Sequence, residues 1–435
     1  MNLGVIGLGH VGLVTAVCLA EKGFRVFGMD KDDRKIKILK NKNLPFFEPG
    51  LQELLYKNFD KLEFTDKIKV ILENCEVIFL CVGTPPLPDG KADLSQVEDA
   101  SREIAKNLER FTLIVEKSTV PVKTAEWIKK VMSLYVKKNV PYEVASNPEF
   151  LREGSAVKDF LEPDRIVVGV ESERAKKIFE KIYKDFNAPI IFTDIETAEI
   201  IKHASNAFLA TKISFINMIA DLCEKTGADI LKVSEAMGLD KRIGREFLNA
   251  GIGYGGSCFP KDVKAFYKIG DELGLDFELL KCVDRINERR IEIFIEKIKR
   301  VLWIIKDKTF AIYGLAFKPG TDDIREAPSI KIVKKLLDEG AYLKVYDPYA
   351  MENFKKEFRN NVRIYYSKDP YDAAKSSNAI LILTEWEIFK KLDYKKIKKL
   401  METPIIIDGR NCLDMEKICK LDYIYVPVGR KGCGY

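Results

Sequence analysis

Cys258 is the residue of this 435-residue chain whose neighbours most favour chemistry. It lies in residues 251–262, which read GIGYGGSCFPKD, and the glycines of this run let the backbone approach a ligand closely. Pro260 suits the first turn of a helix, so the thiol should lie near a helix N-terminus, where Lys261 and the helix dipole both stabilise a thiolate. A lone cysteine is more often a small buried side chain. The glycines, Lys261 and Asp262 reverse that expectation and favour a nucleophile.

Lys202 and Asn206 form a second candidate pair, within a helical pattern at residues 196–225. Residues four apart share one face of a helix. An exposed helix lysine is usually only a solvated charge, but the run IIKHASNAFL around Lys202 is too apolar for a free surface. We therefore expect a buried and functional ammonium at this position. A second long helical pattern follows at about residues 277–305.

The start of the chain has the pattern of a dinucleotide-binding βαβ unit. A strand, a glycine turn, a helix and a second strand follow one another within residues 2–29. Gly7, Gly9 and Gly12 have the spacing that permits a tight turn, close approach to a pyrophosphate and packing of the helix on the strand. Asp30 ends the second strand, where a carboxylate accepts hydrogen bonds from an adenosine ribose and repels a 2′-phosphate. The pattern therefore predicts NAD rather than NADP.

Three further apolar strands each end in a polar or proline-rich loop, and we expect them at residues 77–82, 113–116 and 142–145. In an open parallel sheet, ligands bind at the carboxyl ends of the strands. Thr84, Thr119 and Glu149 lie in these loops and are candidates to line a crevice for cofactor and substrate. Each loop taken singly is equally well explained as a structural turn.

The last third predicts a second sheet of the same kind, with strands expected at residues 309–313, 379–383 and 404–407. Its glycine pattern is incomplete, because Gly314 is followed by neither of the other two glycines. We therefore expect no second NAD site, although a nucleotide has room between the loops that carry Lys318 and Arg325. Arg410 follows a strand end, where a guanidinium can make bidentate contact with phosphate or carboxylate.

The order of elements predicts an α/β fold with two doubly wound Rossmann-like parallel sheets, joined by a helical middle domain with a long connecting helix. We infer domain boundaries at residues 1–195, 196–305 and 306–435. All-helical middle segments of this kind commonly hold dimer contacts, so a homodimer or a higher homo-oligomer is expected.

Composition narrows the class of protein. Lys and Arg outnumber Asp and Glu by 72 to 66, a net charge of +6, which does not argue for a nucleic-acid partner. No run reaches the about 18 apolar residues of a membrane helix. The nine cysteines are odd in number and lack CxxC or metal-ligand spacing with the two histidines, which argues against a disulfide framework and a metal site. A reducing cytoplasm fits best.

With these motifs in order, the chain resembles the UDP-glucose 6-dehydrogenase family of nucleotide-sugar dehydrogenases over nearly every residue. The runs that carry the likeness are GGSCFPKD, STVP, NPEFL, FKPGTDD and DGR, together with Lys202 and Asn206. The related UDP-N-acetylmannosamine dehydrogenases look like GGHC at the first run, and GDP-mannose dehydrogenases usually have leucine after GGSC. Phe259 therefore leans toward UDP-glucose.

The resemblance implies a four-electron oxidation in which UDP-glucose, two NAD and water give UDP-glucuronate and two NADH. Asp262, through a bound water and assisted by Lys202, would accept the C6 hydroxyl proton. Cys258 would then add to the aldehyde and form a thiohemiacetal, whose oxyanion Lys202 and Asn206 stabilise, before a thioester forms. Water would hydrolyse that thioester with the help of Glu149.

The same resemblance implies binding residues, and it gives Thr119 the role of holding Glu149. Those implied for NAD are Gly7, Gly9, Val11, Gly12, Asp30, Lys35, Thr84, Thr119, Glu153, Lys261 and Arg325. Those implied for the sugar nucleotide are Glu149, Phe150, Leu151, Arg152, Lys202, Asn206, Phe247, Leu248, Asn249, Ala250, Gly251, Gly255, Lys318 and Arg410, with Arg242 from a neighbouring subunit.

Two departures and two alternatives stay open. His10, which we expect to be a surface side chain, replaces the tyrosine usual in the first glycine loop, and His203 follows the lysine, so cofactor affinity can differ from that of the family. The alternatives are a dehydrogenase of another nucleotide sugar, UDP-N-acetylhexosamine or GDP-mannose, and a non-catalytic NAD-binding protein. The joint presence of Cys258, Lys202 and Asp262 disfavours the second.

Overall fold

A computed structural model describes residues 1–359 and 361–434. The chain divides into two compact units, each with its own sheet. Unit 1 comprises Met1–Ser205 and Lys268–Leu275, and unit 2 comprises Asn206–Tyr267 and Asp276–Tyr435. The α/β class with two Rossmann-like sheets and a helical middle is confirmed, whereas the domain boundaries inferred at residues 195 and 305 stay a prediction.

The sheet of unit 1 has eight strands in the order β3-β2-β1-β4-β5-β6-β7-β8. The strands are β1 Asn2–Ile6, β2 Arg25–Met29, β3 Leu62–Thr65, β4 Val77–Leu80, β5 Thr112–Glu116, β6 Tyr142–Ser146, β7 Ile166–Gly169 and β8 Ile190–Thr193. All neighbours pair in parallel except β6 and β7, which share one antiparallel pair, Ser146 with Gly169. The order reverses at β1, which places ligand-binding loops beside the glycine turn.

Helices cover both faces of this sheet, which explains why its central strands are apolar without alternation. They are α1 His10–Glu21, α2 Asp33–Lys40, α3 Leu51–Lys57, α4 Ile68–Asn74, α5 Ser95–Asn107, α6 Thr124–Tyr135, α7 Ala156–Leu161 and α8 Glu173–Tyr183, with a 3₁₀ turn at Phe59–Lys61. Two apolar clusters result, one on each face, and β4 and β5 contribute to both.

The second sheet belongs to unit 2 and has six parallel strands in the order β11-β10-β9-β12-β13-β14. The strands are β9 Thr309–Tyr313, β10 Tyr342–Tyr346, β11 Ile364–Tyr366, β12 Ala379–Ile382, β13 Ile405–Asp408 and β14 Ile424–Val426. The helices of this region are α13 Pro328–Asp338, α14 Met351–Glu357, α15 Pro370–Ala374, α16 Glu387–Lys390, α17 Tyr394–Lys398 and α18 Met415–Cys419.

The middle of the chain is helical, as expected: α9 Ile195–Thr226, α10 Ile230–Leu239, α11 Phe259–Glu272 and α12 Glu278–Leu302. The C-terminal tail is anchored to the helices of unit 2. The buried Lys297 of α12 donates to Glu224 Oε1 at 2.5 Å and to the Pro427 carbonyl at 2.9 Å. Gly429 N donates to Glu224 Oε1, and Arg430 pairs with Asp229 at the start of α10. No helix in residues 1–359 and 361–434 has the length and apolarity to cross a membrane.

A disulfide between Cys419 and Cys433 corrects the cysteine analysis, which argued against disulfides from the odd count and scattered spacing. The two residues are 14 apart in sequence, and their Cα atoms lie 6.0 Å apart. The fold brings them together because Cys433 forms an antiparallel bridge with Tyr425 of β14, next to the end of α18. The other seven cysteines are free thiols.

Cys433→Ser should lower the stability of unit 2, because the open loop leaves more conformations to the unfolded chain. For a loop of this length the loss is about 3 kcal/mol. Thermal unfolding of the oxidised protein measures the effect, with Cys282→Ser, a free thiol on α12, as the control. A reductant should lower the wild-type transition to that of the variant. Equal transitions of the oxidised wild type and variant would contradict this role.

Candidate active site

The first glycine turn connects β1 to α1 and has the geometry that a pyrophosphate requires. A Cβ on Gly12 would lie 1.8 Å from the Gly7 carbonyl oxygen, so the close approach of helix and turn excludes any side chain there. Gly9, at the helix N-cap, has no atom within 4 Å of its Cβ direction, and no side chain caps α1. The open space and the uncapped N–H groups suit a bound phosphate.

Asp30 lies at the end of β2, as expected, and it also fixes the turn. Its Oδ2 accepts from Leu8 N and from Lys35 Nζ, each at 2.9 Å, and its Oδ1 accepts from Asp32 N at 2.9 Å. A carboxylate can accept about four hydrogen bonds, so one position remains for a ribose hydroxyl. The residues present therefore fit the adenosine half of NAD.

His10 departs from the expectation of a plain surface side chain. It is half-buried, and its ring stacks on Phe46 with centroids 3.9 Å apart. The apolar partner comes from the loop after α2, 36 residues further along the chain, which sequence spacing did not reveal.

The second sheet has an aspartate at the position equivalent to Asp30, but its carboxylate is not available to a ligand. Asp347 follows β10 as Asp30 follows β2, and it is fully buried. Five donors use its carboxylate: the backbone N–H groups of Leu315, Ala316, Tyr349 and Ala350 and the indole of Trp386. No lone pair remains for a ribose. The absence of a second NAD site in the last third stays a prediction, which the saturated carboxylate of Asp347 supports.

Glu149 and Lys202 form a buried ion pair in unit 1. Lys202 Nζ lies 3.0 Å from Glu149 Oε1, and the two side chains are only 5% and 4% exposed. Glu149 Oε2 accepts from Leu151 N at 2.6 Å, which closes the loop after β6, and Lys202 Nζ lies 5.5 Å from the Phe150 ring centroid. The expected burial of Lys202 is confirmed, and its functional role stays a prediction.

Helix α9 also holds the loop between β5 and α6, which carries Thr119. Glu199 accepts from Lys123 N at 2.6 Å and from Ala125 N at 3.0 Å, and His203 Nε2 bonds the Val120 carbonyl at 2.6 Å. Helix α6 has no capping side chain of its own, so Glu199 supplies the cap from another helix. Thr84 Oγ1 donates to the Thr119 carbonyl at 2.9 Å, which joins the loops after β4 and β5.

Glu199 was missed by the sequence reasoning, and its pKa is unusual. Burial raises the pKa of its carboxyl to about 7. Burial, and the charge of Glu199, raise the pKa of Glu116 well above its ordinary value. The signal that was available is spacing: positions 199, 202, 203 and 206 recur on one face of an otherwise apolar helix.

Cys258 lies at the start of α11, as the sequence predicted. The first helical hydrogen bond runs from Asp262 N to the Cys258 carbonyl at 2.8 Å, so the thiol belongs to the N-cap residue. Cys258 is partly exposed, and its Sγ lies 3.7 Å from Ser257 Oγ. The buried cysteines differ, since burial raises the pKa of Cys75 and of Cys81 to about 12.

Asp262 joins the other implied catalytic groups of unit 2. It is buried, with Oδ2 accepting from Asn206 Nδ2 at 2.6 Å and Oδ1 2.6 Å from Lys261 Nζ. Asn206 is therefore hydrogen-bonded to the carboxylate one helical turn after the thiol. This contact fixes the amide of Asn206 relative to the start of α11.

The glycine run before Cys258 packs closely against two loops at the carboxyl ends of the second sheet. A Cβ on Gly255 would lie 2.3 Å from the Glu326 carbonyl oxygen, and Gly256 N donates to the Arg325 carbonyl at 2.9 Å. On the other side, Ile252 N donates to the Gly409 carbonyl at 3.0 Å. The sheet of unit 2 thus determines where the thiol-bearing segment lies.

Two of the three Arg410 side-chain nitrogens, which were expected from the sequence to make bidentate contact with a ligand, are bonded within the protein. Its Nε donates to the Leu383 carbonyl and its Nη1 to the Gly253 carbonyl, because the loop after β13 packs on the glycine run. Nε also lies 3.5 Å from Glu385 Oε2, whereas Nη2 is buried and has no hydrogen-bond partner in residues 1–359 and 361–434. The N–H groups of Nη2 therefore remain for a ligand, and bidentate contact by Arg410 stays a prediction.

The remaining implied residues divide between the units. Unit 1 holds Gly7, Gly9, Val11, Gly12, Asp30, Lys35, Thr84, Thr119, Glu149, Phe150, Leu151, Arg152, Glu153 and Lys202. Unit 2 holds Asn206, Arg242, Phe247, Leu248, Asn249, Ala250, Gly251, Gly255, Cys258, Lys261, Asp262, Lys318, Arg325 and Arg410. Within them, Arg152 pairs with Asp159, Arg325 with Asp323, and the exposed Arg242 with Asp240.

Three family models match the chain in order. They are the NAD binding, central and UDP binding domains of the UDP-glucose/GDP-mannose dehydrogenase family, over residues 1–187, 196–289 and 311–415. The UDP-glucose 6-dehydrogenase YwqF of Bacillus subtilis is 46% identical over 433 residues, 99% of this chain and 98% of the relative. That of Pseudomonas aeruginosa is 40% identical over 449 residues, 100% and 99% of the two chains.

Solved structures agree with these relatives. A UDP-glucose dehydrogenase from Pyrobaculum islandicum superposes with a TM-score of 0.92 at 38% identity, covering 99% of this chain and 98% of that one. A UDP-D-ManNAc dehydrogenase from Pyrococcus horikoshii gives 0.87 at 29% identity, covering 99% of both chains.

The Glu199 carboxyl should make stability depend on pH. Its folded pKa of about 7 lies above the ordinary 4.5, so the folded state holds the proton more tightly. Stability should therefore be largest below the unfolded pKa and fall by about 3 kcal/mol as pH rises through the folded value. Glu199→Gln should remove this loss.

Urea denaturation of the wild type and of Glu199→Gln at about pH 5 and about pH 8 checks the slope. Glu180→Gln, an exposed carboxyl on α8, is the control and should leave the wild-type slope unchanged. Parallel pH profiles for the wild type and Glu199→Gln would contradict the assignment.

Proposed function

Because the chain belongs to the UDP-glucose/GDP-mannose dehydrogenase family, we propose that it oxidises the C6 hydroxyl of UDP-glucose to a carboxylate through a covalent intermediate on Cys258. The observation that carries the proposal is the position of Cys258, a partly exposed N-cap residue one helical turn before the buried Asp262. The family is NAD-dependent, and bound NAD would supply the hydride acceptor that each of the two oxidations requires.

The first half-reaction needs a base for the hydroxyl proton. Asp262 is the carboxylate of unit 2 that supports this role, since Asn206 and Lys261 fix both of its oxygens. A base held in one orientation avoids the entropic cost of finding the proton. The proton passes to Asp262 through a bound water, with Lys202 assisting, and the sugar is left as a C6 aldehyde.

The second half-reaction needs the aldehyde to be captured. The Cys258 thiolate forms a C–S bond to C6, and the carbonyl oxygen becomes an oxyanion that the Lys202 ammonium and the Asn206 amide stabilise. Departure of a hydride from C6 then gives a thioester. Covalent capture prevents a reactive aldehyde from escaping between the two oxidations.

Hydrolysis completes the reaction. Water adds to the thioester carbon, the C–S bond breaks, and the products are the carboxylate and the free thiol of Cys258. Glu149 accepts the proton of that water, and its contact with Lys202 supports the ionised form that a general base requires. Two hydrides leave in all, which accounts for the four electrons.

UDP-glucose is the proposed substrate because the relatives that span the chain at 40–46% identity bear that name. Phe259 supports the choice only indirectly. Its ring packs against Phe247 and Tyr254, with centroid distances of 6.0 and 5.8 Å, so it shapes the segment around the thiol through an aromatic cluster.

We also propose that the enzyme is a homodimer, or a higher oligomer built from it, and that helix α9 provides the contact. Phe208, Phe215, Met218 and Leu222 are 66%, 42%, 46% and 57% exposed. Their spacing of seven, three and four residues aligns them on one helix face, which we call the α9 stripe. An apolar stripe of this kind on a soluble enzyme is best explained by a second copy of the chain.

The cysteine inventory supports a further proposal, that the enzyme works in the cytoplasm. Seven of the nine cysteines are free thiols, and three of these, Cys258, Cys282 and Cys412, are partly exposed. Free exposed thiols persist in a reducing compartment. The pair Cys419–Cys433 is the exception.

The main test counts NADH released per sugar with UDP-glucose, UDP-galactose, UDP-N-acetylglucosamine, UDP-N-acetylmannosamine and GDP-mannose. Two NADH per sugar, with UDP-glucose turned over best, is the expected result. Cys258→Ser should produce no uronate, and at most one NADH per enzyme-bound sugar, because the thioester cannot form. Cys282→Ser, at a free thiol on α12, is the control and should keep wild-type turnover. Full uronate production by Cys258→Ser would refute the covalent route.

The α9 stripe is tested by the double variant Phe215→Glu, Leu222→Glu. Two charges on the buried face of a dimer are costly to desolvate, so the molar mass from light scattering should fall to half that of the wild type. Ile304→Glu, at an exposed apolar residue after α12, is the control and should leave the mass unchanged. A dimeric double variant would exclude this face as the contact.

A further inference from the structure

Lys117 is a buried ammonium that the proposed reaction does not use. It follows β5, is 4% exposed, and has no carboxylate within ion-pair distance in the described part of the chain. Its Nζ donates to the Asn147 side-chain oxygen at 3.1 Å and to the Asn147 carbonyl at 3.3 Å. Its flanks are the rings of Phe79 and Phe160, about 6 Å away. Burial without a paired charge is costly, and it lowers the pKa of Lys117.

Asn147 accepts both hydrogen bonds from Lys117 and makes three more. Its Oδ1 also accepts from the Tyr183 hydroxyl at 2.5 Å, its Nδ2 donates to the Val167 carbonyl at 2.8 Å, and its backbone N–H donates to the Glu116 carbonyl at 2.8 Å. Asn147 is 1% exposed. One amide is thus held by the end of β5, by β7 and by α8.

Residues 148 and 149 connect the fixed Asn147 to the ion pair of Glu149 and Lys202. Pro148 restricts Asn147 to extended backbone conformations, and Glu149 follows directly. The loop then closes through Leu151 N to Glu149 Oε2, and the Arg165 guanidinium stacks on Phe150 at 3.8 Å from the ring centroid. The direction in which Glu149 extends toward Lys202 is therefore determined by the amide two residues earlier.

Lys117 also interacts with Glu149 through its charge. Lys117 and Glu149 line the same cavity, of about 50 Å³, together with Tyr183, Asp159 and Arg165. The charged and titratable groups that act on Lys117 are Cys81, Glu116, Glu149 and Lys202. A positive charge near a carboxylate favours the ionised form, which is the form that can accept a proton.

We propose that Lys117, Asn147 and Tyr183 form a positioning network that holds the ionised Glu149 against Lys202 for hydrolysis of the thioester. The inference rests on the proposed function, in which Glu149 is the base of that step. None of the three residues touches substrate in this scheme, and they act only through Glu149. They matter to the last step of the reaction and not to either oxidation.

Tyr183→Phe removes one hydroxyl and keeps the ring, so it loosens Asn147 with little change in packing. We expect kcat to fall about tenfold to a hundredfold, because a misplaced base loses much of the about 10²–10⁴ that general base catalysis provides. The KM values for UDP-glucose and NAD should change less than about threefold. Intact-protein mass spectrometry during turnover should show the sugar nucleotide bound to Cys258.

Lys117→Met removes the charge with a side chain of similar length. Asn147 then loses the two hydrogen bonds that it accepts from this ammonium, so kcat should fall at nearly constant KM and the adduct on Cys258 should accumulate, as for Tyr183→Phe. A purely structural role for Lys117 would lower stability without this accumulation.

Tyr142→Phe is the matched control, since Tyr142 lies on β6 of the same sheet and its hydroxyl donates to the Lys129 carbonyl of α6, outside the network. It should have wild-type kcat and show no adduct. If Lys117→Met does not fold, Tyr183→Phe still decides the matter. A folded Tyr183→Phe with wild-type kcat and no adduct would overturn the network. If the wild type itself released no uronate and Cys258→Ser behaved like it, the proposed function would fail instead.

Discussion

The buried contact between Lys202 and Glu149 is the interaction on which the arrangement of unit 1 depends. Each ion loses several kcal/mol of hydration on burial, and only close, well-oriented partners recover it. The pair therefore requires a rigid support on both sides. Helix α9 provides one side, since Glu199 and His203 on the same helix face as Lys202 bond the loop between β5 and α6. The loop after β6 provides the other, through backbone and amide hydrogen bonds that leave Glu149 little freedom.

In unit 2 the structural requirement is different, because the Cys258 thiol has to be held in place and still stay accessible. The glycine run can pass within van der Waals contact of the loops after β9 and β13 because it lacks side chains there, and these loops hold it through backbone hydrogen bonds. Helix α11 then begins at the cysteine. A partly exposed sulfur at a helix N-terminus stays available to an electrophile, whereas burial raises the pKa of Cys75 and Cys81, on either side of β4, and keeps them as thiols.

Many of these features could be predicted from the sequence because they depend on residues that are close together along the chain. Gly12 and Asp30 act within one βαβ unit, Cys258 and Pro260 within one helix start, and the central strands appear as apolar runs, so short-range patterns predicted them. Lys202 was identified because a charge in an apolar helix needs an explanation. Glu199, Lys117 and Tyr183 were missed because their partners lie 30 to 76 residues away in sequence. The disulfide was missed for a related reason, as an odd count gives no pairing, and the stacking of His10 on Phe46 likewise depends on a distant loop.

Asp347 shows what happens to a ligand-contacting acid when the fold itself satisfies it. Five protein donors surround that carboxylate, where Asp30 has three, and the difference lies in the loops that follow rather than in the strand or the acid. An acidic residue after the second strand of such a sheet is thus no reliable marker of nucleotide selectivity by itself. An exchange of Asp347 would leave five donors without their acceptor and would destabilise unit 2. Under the role predicted for Asp30, a redesign of coenzyme preference therefore has to change residues around Asp30 and leave Asp347 in place.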